Sequence, residues 1–215
     1  MIQTKIIKIN DEDPIENALI QASGILAAGG IIAYPTDTLY GLGVDADNSE
    51  AMKNLHDLKG RPEEKPISLM LSGIKMLFAI FPDLSLGEKN LINEFLPGEL
   101  TIVLKKPVHA KFISGETVGI RIPRNFFCNE LVAYYGKPIT TTSVNLTGGE
   151  PAKNANEVLN NFSGKIDLLI DGGESPNREG STVVQAIREE IKILRQGALT
   201  DDDIFGIFYG KLKNV

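Results

Sequence analysis

The chain has 215 residues, of which 42% are hydrophobic and 23% charged, and its formal net charge is −6. This composition excludes an intrinsically disordered chain, and the acidic balance argues against a nonspecific nucleic-acid coat protein. The lone Cys128 excludes a disulfide framework and a cysteine-based metal cluster, so we predict a packed thiol. The N-terminus lacks a signal peptide and no apolar run is long enough to span a membrane, which predicts a cytoplasmic protein with no membrane partner.

Helical and strand-like patterns of apolar residues alternate along the chain. In chain order they predict a helix at 15–26, a strand at 31–34, a helix at 49–59, a strand at 67–71, a helix at 85–95 and a strand at 101–104. There follow a strand at 118–122, a helix at 126–135, a strand at 139–142, a helix at 154–162, a strand at 168–170, a hairpin of strands at 182–187 and 191–194, and a helix that begins after Thr200. We therefore predict one α/β domain over residues 1–215, with a twisted, mixed sheet flanked by helices.

The familiar nucleotide and hydrolase motifs are absent from the sequence. No Gly-Lys pair is followed by Ser or Thr as a P-loop requires, and Gly41-Leu42-Gly43 begins a dinucleotide fingerprint that position 46 does not complete. There is also no Gly-x-Ser-x-Gly elbow and no His-Glu-x-x-His. The chemistry is therefore expected from polar residues placed where strands end, which is where open α/β sheets bind ligands.

Two of these polar clusters lie in the first third of the chain. Residues 35–43 place Asp37, two threonines and a tyrosine in a glycine-rich turn after a predicted strand, although an ordinary polar turn has the same composition. Lys59, Arg61 and Lys65 lie within seven residues at the end of a predicted helix. Such cations suit phosphate groups, but they also stabilise a helix C-terminus without any ligand.

The third cluster, residues 140–149, follows a predicted strand. Ser143 and Asn145 are two residues apart, so in an extended chain both side chains face one side and reach the same ligand, whereas a plain polar strand edge is the alternative. Arg121 lies within an apolar strand, where it needs an anionic partner or a route to solvent.

The order of these motifs resembles the YrdC-like family. The motifs are Thr-Asp-Thr-Leu-Tyr-Gly-Leu at 36–42, Lys-Gly-Arg-Pro at 59–62, Gly-Ile-Arg-Ile-Pro at 119–123, Ser-Val-Asn at 143–145, Ser-Thr-Val-Val at 181–184 and Leu-Arg-Gln-Gly at 194–197. The resemblance spans about residues 13–198, and because the chain stops at Val215 without the extra domain of longer members, we expect the short, single-domain form. The resemblance also implies a concave basic ligand-binding face.

The resemblance implies the synthesis of threonylcarbamoyl-AMP from L-threonine, bicarbonate or CO2, and ATP, with release of pyrophosphate. This product serves the formation of N6-threonylcarbamoyladenosine at position 37 of ANN-decoding tRNAs, so tRNA or the transferase proteins that receive it are further expected partners. The implied ATP-binding residues are Lys59, Arg61, Lys65, Thr117, Ser143, Asn145 and Arg195. Among them the implied catalytic signature is Lys59, Arg61, Ser143 and Asn145. The implied threonine-binding residues are Thr38, Arg121, Thr141 and Ser181.

Three further expectations remain open at this point. Mg²⁺ is expected to accompany ATP, with Asp37 a candidate ligand only by its proximity to the motifs. The main alternative function is an RNA-binding module for tRNA or double-stranded RNA that lacks synthase activity. Another alternative is an accessory domain for ATP-dependent carbamoyl transfer, which would require a partner domain outside this chain.

Overall fold

The computed structural model describes residues 3–10, 15–63, 65–110, 115–176 and 179–210, and within them ten strands form one mixed sheet on which seven helices pack. The strands are β1 (Lys5–Lys8), β2 (Ile32–Tyr34), β3 (Gly41–Gly43), β4 (Ser68–Met70), β5 (Leu100–Lys105), β6 (Thr117–Arg121), β7 (Ile139–Ser143), β8 (Leu168–Asp171), β9 (Thr182–Ile187) and β10 (Glu190–Arg195). The helices are α1 (Glu16–Ala27), α2 (Ser49–Lys59), α3 (Ile74–Ile80), α4 (Leu86–Phe95), α5 (Phe126–Tyr135), α6 (Ala155–Phe162) and α7 (Asp201–Phe208). The strand order is β1-β8-β2-β3-β7-β4-β6-β5-β9-β10. In the described part of the chain no helix is long and apolar enough to cross a membrane.

The predicted α/β architecture is confirmed, and three elements were not predicted. These are β1, α3 and β3, of which β3 occupies the segment that the sequence predicted as a glycine-rich turn. A three-residue strand with two glycines has no readable alternation, and its conformation comes from antiparallel pairing with β2 on one side and β7 on the other. The predicted bounds of α2 are confirmed, and Asn48 caps this helix, its side chain accepting from Glu50 N at 3.1 Å and Ala51 N at 3.0 Å.

The two glycines of β3 make room for the ring of Tyr34. A Cβ atom built on Gly41 or Gly43 would lie 2.9 Å from a ring carbon of Tyr34, and on Gly43 it would also lie 3.0 Å from the carbonyl oxygen of Thr140. The Tyr34 hydroxyl donates to that same Thr140 oxygen at 3.0 Å, and the side chain is fully buried. A large ring and two glycines therefore fix the close approach of β2, β3 and β7.

The helices cover the two halves of the sheet differently. Around β2 and β8, one core cluster includes residues of α1 and α5, and a second includes residues of α2 and α6. The half that contains β4, β5, β6 and β9 packs its apolar face against α3, α4 and α7. Alternation along these strands puts apolar side chains on that face, and the residues between them line a cleft on the opposite face.

Cys128 is a packed thiol, as the sequence predicted. Its side chain is fully buried in α5 and its Sγ donates to the carbonyl oxygen of Pro35 at 3.2 Å. Burial raises the pKa of the Cys128 thiol, and the nearby charge of Asp37 raises it further. Both effects disfavour the thiolate that a nucleophilic cysteine requires.

We predict that Gly43→Ala lowers the free energy of unfolding by about 2 kcal/mol, because the new methyl group collides with the Tyr34 ring and with the backbone of β7. Urea denaturation followed by circular dichroism measures this loss. The control is Gly24→Ala, in the exposed face of α1, where nothing lies within 4 Å and the substitution should stabilise by about 0.5–1 kcal/mol. Equal stability changes for the two variants would contradict the packing explanation.

Candidate functional site

A cleft of about 600 Å³ crosses the uncovered face of seven neighbouring strands, from β3 to β10. This volume is within the range of small-molecule sites. Nine serine and threonine side chains line it: Thr36, Thr38, Ser68, Thr101, Thr117, Thr141, Thr142, Ser143 and Ser181. Three arginines, Arg61, Arg121 and Arg195, also line it, and no Asp or Glu is among its lining residues in the described structure. The cleft is therefore suited to an anionic ligand, although the protein as a whole is acidic.

Strand register brings the cleft residues of β5, β6 and β9 side by side. Thr101 pairs with Arg121 on one side and with Val183 on the other, and two residues further along β5 the position of Val103 pairs with Gly119. Residues two apart on a strand face the same side of the sheet. The pairing therefore places the cleft-facing residues of β5, β6 and β9 next to one another. A Cβ atom on Gly119 would lie 2.4 Å from Ser68 Oγ, so glycine allows β6 and β4 to form a flat floor.

The position of the cleft corrects one expectation from the sequence. Ligand-binding residues were expected outside the ends of strands, whereas Thr101, Gly119 and Thr141 lie within strands and line the cleft by facing away from the helices. The physical reason is that α3, α4 and α7 cover the apolar face of these strands, which leaves hydroxyl and glycine positions on the other face. Loops still supply Thr38, Arg61 and Ser181 around this floor.

Arg121 is held in the cleft by Asp37. Its Nη2 donates to Asp37 Oδ1 at 2.6 Å and to Thr38 Oγ1 at 2.9 Å, and both charged side chains are about nine-tenths buried. The second oxygen of Asp37 accepts from the backbone N–H of Arg124 at 3.0 Å. The expectation that Arg121 needs an anionic partner is confirmed. The Nε of Arg121 is buried with no hydrogen-bond partner among the described residues, so one donor of the guanidinium is left unsatisfied.

Lys59 joins the end of α2 to the loop after β7. Its buried ammonium donates to the Ser143 carbonyl oxygen and, at 3.1 Å, to Asn145 Oδ1. The Ser143 hydroxyl donates to the same Asn145 oxygen at 2.7 Å, and the backbone N–H and hydroxyl of Thr147 donate to the carbonyl oxygen of Lys59 at 3.1 and 2.9 Å. Burial, and secondarily the charge of Arg61, lowers the pKa of Lys59 from 10.5 to about 8. An anion bound nearby would favour the charged form.

Ser143 and Asn145 do not have the extended geometry that the sequence predicted, and their side chains bond to each other. The backbone N–H of Asn145 donates to the carbonyl oxygen of Ser143 at 3.0 Å, so the chain turns sharply there instead of continuing as a strand. The two side chains meet because of this turn and because Asn145 Nδ2 donates to the Gly149 carbonyl oxygen at 2.7 Å. The turn places Asn145 behind Ser143, which itself lines the cleft.

Arg61 and Lys65 do not occupy equivalent positions. Arg61 lines the cleft, and its guanidinium folds over its own loop, donating to the carbonyl oxygens of Lys65 at 3.3 Å and Pro66 at 2.9 Å. Burial lowers the pKa of Arg61. Lys65 contributes its carbonyl oxygen to this loop, and its side chain is not part of the cleft lining. The side chain of Lys65, which the resemblance implies for ATP, is therefore outside the cleft lining, because the loop meets Arg61 through the backbone carbonyl of Lys65.

Arg195 is bound to Ser181 from β10. Its Nη2 donates to the Ser181 carbonyl oxygen at 2.7 Å and to Ser181 Oγ at 3.1 Å, while its Nε donates to the same carbonyl oxygen at 3.3 Å. Burial, and secondarily the charge of Arg121, lowers the pKa of Arg195. A Cβ atom on Gly180 would lie 3.2 Å from Arg195 Nη2, so glycine at position 180 leaves room for the Arg195 guanidinium.

Most of the residues implied by the resemblance meet in this one cleft. Those that line it are Thr38, Arg61, Thr117, Arg121, Thr141, Ser143, Ser181 and Arg195. Lys59 and Asn145 lie one contact behind the lining, through Ser143. The sequence did not single out Ser68, Thr101 and Gln185 as site residues, and it included Thr142 only as a member of the cluster at 140–149. For Gln185 the available signal was its two-residue spacing from Val183 on β9. The wider basic face stays a prediction.

A second, larger cavity of about 1340 Å³ lies beyond the loop that carries Thr36 and Asp37. Its charged lining residues are Lys8, Asp37, Glu94, Glu99, Arg124 and Glu174. Carboxylates outnumber cations there, which disfavours a phosphate ligand. The smaller cleft, in which arginines meet hydroxyls, is the better candidate for the functional site.

No protein ligand set for a metal is found in the described part of the chain. It contains no group of three or more His, Cys, Asp or Glu side chains arranged to hold an ion. Asp37 does not fit as a Mg²⁺ ligand in this arrangement, because Arg121 and the Arg124 N–H already occupy its two oxygens. A divalent ion in the cleft would depend on oxygens of the ligand.

We predict that Asp37→Ala lowers the free energy of unfolding by about 3 kcal/mol, because it leaves the buried guanidinium of Arg121 without its carboxylate. The control is Asp47→Ala, which removes a 4.0 Å pair between Lys137 and a carboxylate that is 60% exposed. Such an exposed pair contributes less than about 1 kcal/mol. Chemical denaturation of both variants makes the comparison, and a loss of similar size in the two would contradict the importance of the buried pair.

Comparisons with known proteins agree on the family. The Sua5/YciO/YrdC family model, described as telomere recombination, matches residues 24–197. A threonylcarbamoyl-AMP synthase from Pyrococcus abyssi is 33% identical over 202 residues, which cover 92% of this chain and 59% of that protein.

Two solved structures share the fold. The crystal structure of P. abyssi Sua5 complexed with L-threonine has a TM-score of 0.86 and 30% identity, covering 95% of this chain and 62% of that one. The crystal structure of Escherichia coli YciO has a TM-score of 0.81 and 26% identity, covering 95% of this chain and 100% of that one. The chain thus spans less than two thirds of the Pyrococcus proteins and the full length of YciO. Because the family model accounts for most of its residues and the fold agrees throughout, the chain belongs to the Sua5/YciO/YrdC family.

Proposed function

We propose that this protein is a threonylcarbamoyl-AMP synthase, which joins L-threonine, bicarbonate or CO2, and ATP and releases pyrophosphate. The observation that carries the proposal is a single cleft with three arginines, nine serine and threonine side chains and no carboxylate in its described lining. In it, residues implied for ATP and residues implied for threonine lie in direct contact, as Arg195 and Ser181 do. The name of the Pyrococcus relative and the threonine complex of P. abyssi Sua5 support the same activity.

The proposed chemistry requires no nucleophile from the protein. The amine of threonine attacks the carbon of CO2, losing a proton and forming a carbamate, and a carbamate oxygen then attacks the α-phosphorus of ATP. The bond from that phosphorus to the bridging oxygen breaks, and pyrophosphate leaves. The cleft would contribute by holding the reactants together and by stabilising phosphate charge. This role agrees with a lining of donors and with a buried, inert Cys128.

At the ATP end we assign phosphate binding to the signature residues Lys59, Arg61, Ser143 and Asn145. Asn145 accepts bonds from both the Lys59 ammonium and the Ser143 hydroxyl, so the three side chains form one fixed unit. Arg61 adds a guanidinium at the cleft wall. Thr117 and Arg195 complete the assignment from β6 and β10. Lys65 remains a weaker candidate because, among the described residues, its side chain neither lines the cleft nor bonds to a residue that does.

At the threonine end we assign the substrate carboxylate to Arg121. The guanidinium is already fixed by Asp37 and Thr38, and its buried Nε has no partner among the described residues, so a carboxylate oxygen would satisfy it. Thr141 and Ser181 line the same cleft and offer hydroxyl groups to the remaining polar atoms of the amino acid. The fixed guanidinium loses little freedom when it binds.

The remaining partners of the reaction enter the proposal through the substrates. Mg²⁺ would arrive with the phosphates of ATP, and we assign it no protein ligand because the described residues offer no carboxylate group for it. tRNA modification requires that the product pass to transferase proteins, which we propose as downstream partners in the cytoplasm.

An RNA-binding module without synthase activity has less support. Among the described lining residues of the cleft the only aromatic side chain is Tyr40, which is fully buried, and its hydroxyl bridges Gly173 O at 2.8 Å and Gly172 N at 3.0 Å. Single-stranded RNA sites use exposed aromatic faces on which bases stack. The cleft offers hydroxyl groups and guanidinium groups in their place.

We predict that the purified protein releases pyrophosphate from ATP only when threonine, bicarbonate and Mg²⁺ are all present. A coupled pyrophosphate assay measures this, with the omission of threonine as the background control. Arg61→Ala should reduce turnover at least about 100-fold while lowering the free energy of unfolding by less than about 1 kcal/mol, since Arg61 bonds only to its own surface loop. Release that is independent of threonine would contradict the proposed function, and equal losses of activity and stability would make Arg61 structural.

We also predict that ATP binding weakens at alkaline pH through Lys59. Because the pKa of Lys59 is about 8, the ammonium of the free protein loses its charge above that pH. The Kd for ATP should therefore rise about tenfold between about pH 7.5 and 9.5. Calorimetric titration measures the Kd, and Lys59→Arg is the control because a guanidinium keeps its charge over this range. The same rise in the arginine variant would assign the effect to another group.

The free energy of unfolding should rise with pH over nearly the same range in which ATP binding weakens. The unfolded chain retains the Lys59 proton up to its ordinary pKa of 10.5, whereas the folded chain releases it near 8. The unfolded state therefore binds more protons between these values, and the contribution of Lys59 makes the free energy of unfolding rise with pH there. Denaturation of the wild type and Lys59→Arg at several pH values isolates this contribution.

A further inference from the structure

Two buried hydroxyl groups face each other at the floor of the cleft. Thr101 Oγ1, on β5, and Ser181 Oγ, in the loop that precedes β9, are 2.7 Å apart. Both residues line the cleft, and they are only 5% and 2% exposed. A hydroxyl pair this short is a hydrogen bond in which one oxygen donates and the other accepts.

The contact with Arg195 limits the bonds that the Ser181 hydroxyl can make. A guanidinium has no acceptor atom, so in the 3.1 Å contact between Arg195 Nη2 and Ser181 Oγ the serine oxygen accepts. If Ser181 also donated to Thr101, its only proton would be used, and the Thr101 proton would have no acceptor in the described part of the chain. If Thr101 donates, the Ser181 proton is the one that is left, so the contacts of the protein alone allow both arrangements. In the proposed function Ser181 binds an anionic oxygen of threonine, which can only accept, so in that complex Ser181 donates to the substrate and Thr101 donates to Ser181.

We propose that Thr101 is a positioning residue: by donating its proton to Ser181, it directs the Ser181 hydroxyl proton into the cleft toward an anionic oxygen of the substrate. The inference rests on the proposed function, in which Ser181 contacts threonine, and it adds a residue to which no substrate role was assigned. Thr101 itself does not need to touch the substrate.

The strand register indicates which oxygen the Ser181 proton meets. Thr101 is the direct pair of Arg121 on the neighbouring strand β6, so the hydroxyl pair and the guanidinium occupy adjacent positions on one face of the sheet. The Nε of Arg121 is a donor without a partner among the described residues, and the Ser181 proton is a second donor in the same region. Two donors side by side suit a carboxylate, which accepts through two oxygens.

The same contacts connect the two substrate subsites. Arg195, assigned to ATP, is bound to both the carbonyl and hydroxyl oxygens of Ser181, assigned to threonine. Fixing Ser181 from the side of β5 therefore also fixes the position from which Arg195 extends. ATP and threonine should consequently bind with positive coupling, and part of this coupling should depend on Thr101.

The test compares Thr101→Val, which keeps the shape of the side chain but removes the hydroxyl, with Thr101→Ser, which retains it. Calorimetry measures the Kd for L-threonine with and without α,β-methylene-ATP. For Thr101→Val we expect a Kd for threonine about tenfold higher and a smaller tightening by the nucleotide, whereas Thr101→Ser should restore both. In steady-state assays the KM for threonine should rise, and because coupling is reciprocal the KM for ATP at saturating threonine should rise by a smaller factor.

The matched control is Thr140→Val on β7. Thr140 is fully buried and its hydroxyl accepts from the backbone N–H of Val44 at 3.0 Å, but it does not line the cleft. Its removal should lower stability and leave the Kd for threonine unchanged. A rise in the threonine Kd of this variant equal to that of Thr101→Val would overturn the proposal by showing a merely structural effect.

A double-mutant cycle completes the test. If Thr101 acts through Ser181, the variant with both Thr101→Val and Ser181→Ala should bind threonine no more weakly than Ser181→Ala alone, and additive losses would overturn the proposal. Unchanged threonine binding in Thr101→Val would overturn this proposal alone, provided that the wild type binds threonine. A wild-type protein that neither binds threonine nor releases pyrophosphate in its presence would overturn both this proposal and the proposed function.

Discussion

The arrangement of the cleft depends on the burial of a guanidinium in the face of a sheet. Arg121 belongs to β6 and Asp37 to the loop after β2, and three strands, β3, β7 and β4, separate β2 from β6. An unpaired buried charge is costly, so the loop must extend across the sheet to bring its carboxylate to Arg121. Asp37 also accepts from the Arg124 backbone, which fixes the chain beyond β6 to the same loop. The wall of the cleft and the orientation of Arg121 thus have a common cause.

The cationic groups of the cleft are partly removed from water, and this desolvation disfavours their charged forms. Burial lowers the pKa values of Lys59, Arg61 and Arg195, which means that the folded protein keeps these groups charged at some cost. Neutral oxygens rather than carboxylates compensate Lys59, Arg61 and Arg195 in part: the Ser143 and Pro66 carbonyls, the Asn145 amide and the backbone of Ser181. Partial compensation leaves net positive charge for an anion, whose binding would recover part of the cost.

The hydroxyl groups of the cleft contribute in a way that differs from that of the charges. A serine or threonine can donate or accept, so its role is set by its neighbours rather than by its identity. At Ser181 the arginine contact requires the oxygen to accept, and in the proposed threonine complex Thr101 donates to the same oxygen. The cleft therefore has a defined pattern of donors, although nine of its side chains belong to two chemically similar residue types.

The sequence predicted the periodic elements well because their apolar spacing is a local property. The helical spacing of apolar residues identified α1 and α6, and strand-like apolar runs identified β5 and β6. It did not predict β3, whose two glycines are explained only by the ring of Tyr34 on the neighbouring strand. The partner of Arg121 could be anticipated as an anion but not identified as Asp37, because contacts between residues 84 positions apart follow from strand order and register. For the same reason the exclusion of Lys65 and the role of Thr101 required the structure.

The most direct test of the central claim follows the carbon of bicarbonate. The protein is incubated with ATP, Mg²⁺, L-threonine and ¹³C-labelled bicarbonate, and the products are separated rapidly and identified by mass spectrometry. We predict a labelled adduct that contains threonine, one labelled carbon and AMP, formed together with an equal amount of pyrophosphate and absent in the Arg61→Ala variant. ADP and phosphate in place of this adduct, or an adduct of threonine and AMP that lacks the labelled carbon, would contradict the proposed synthase.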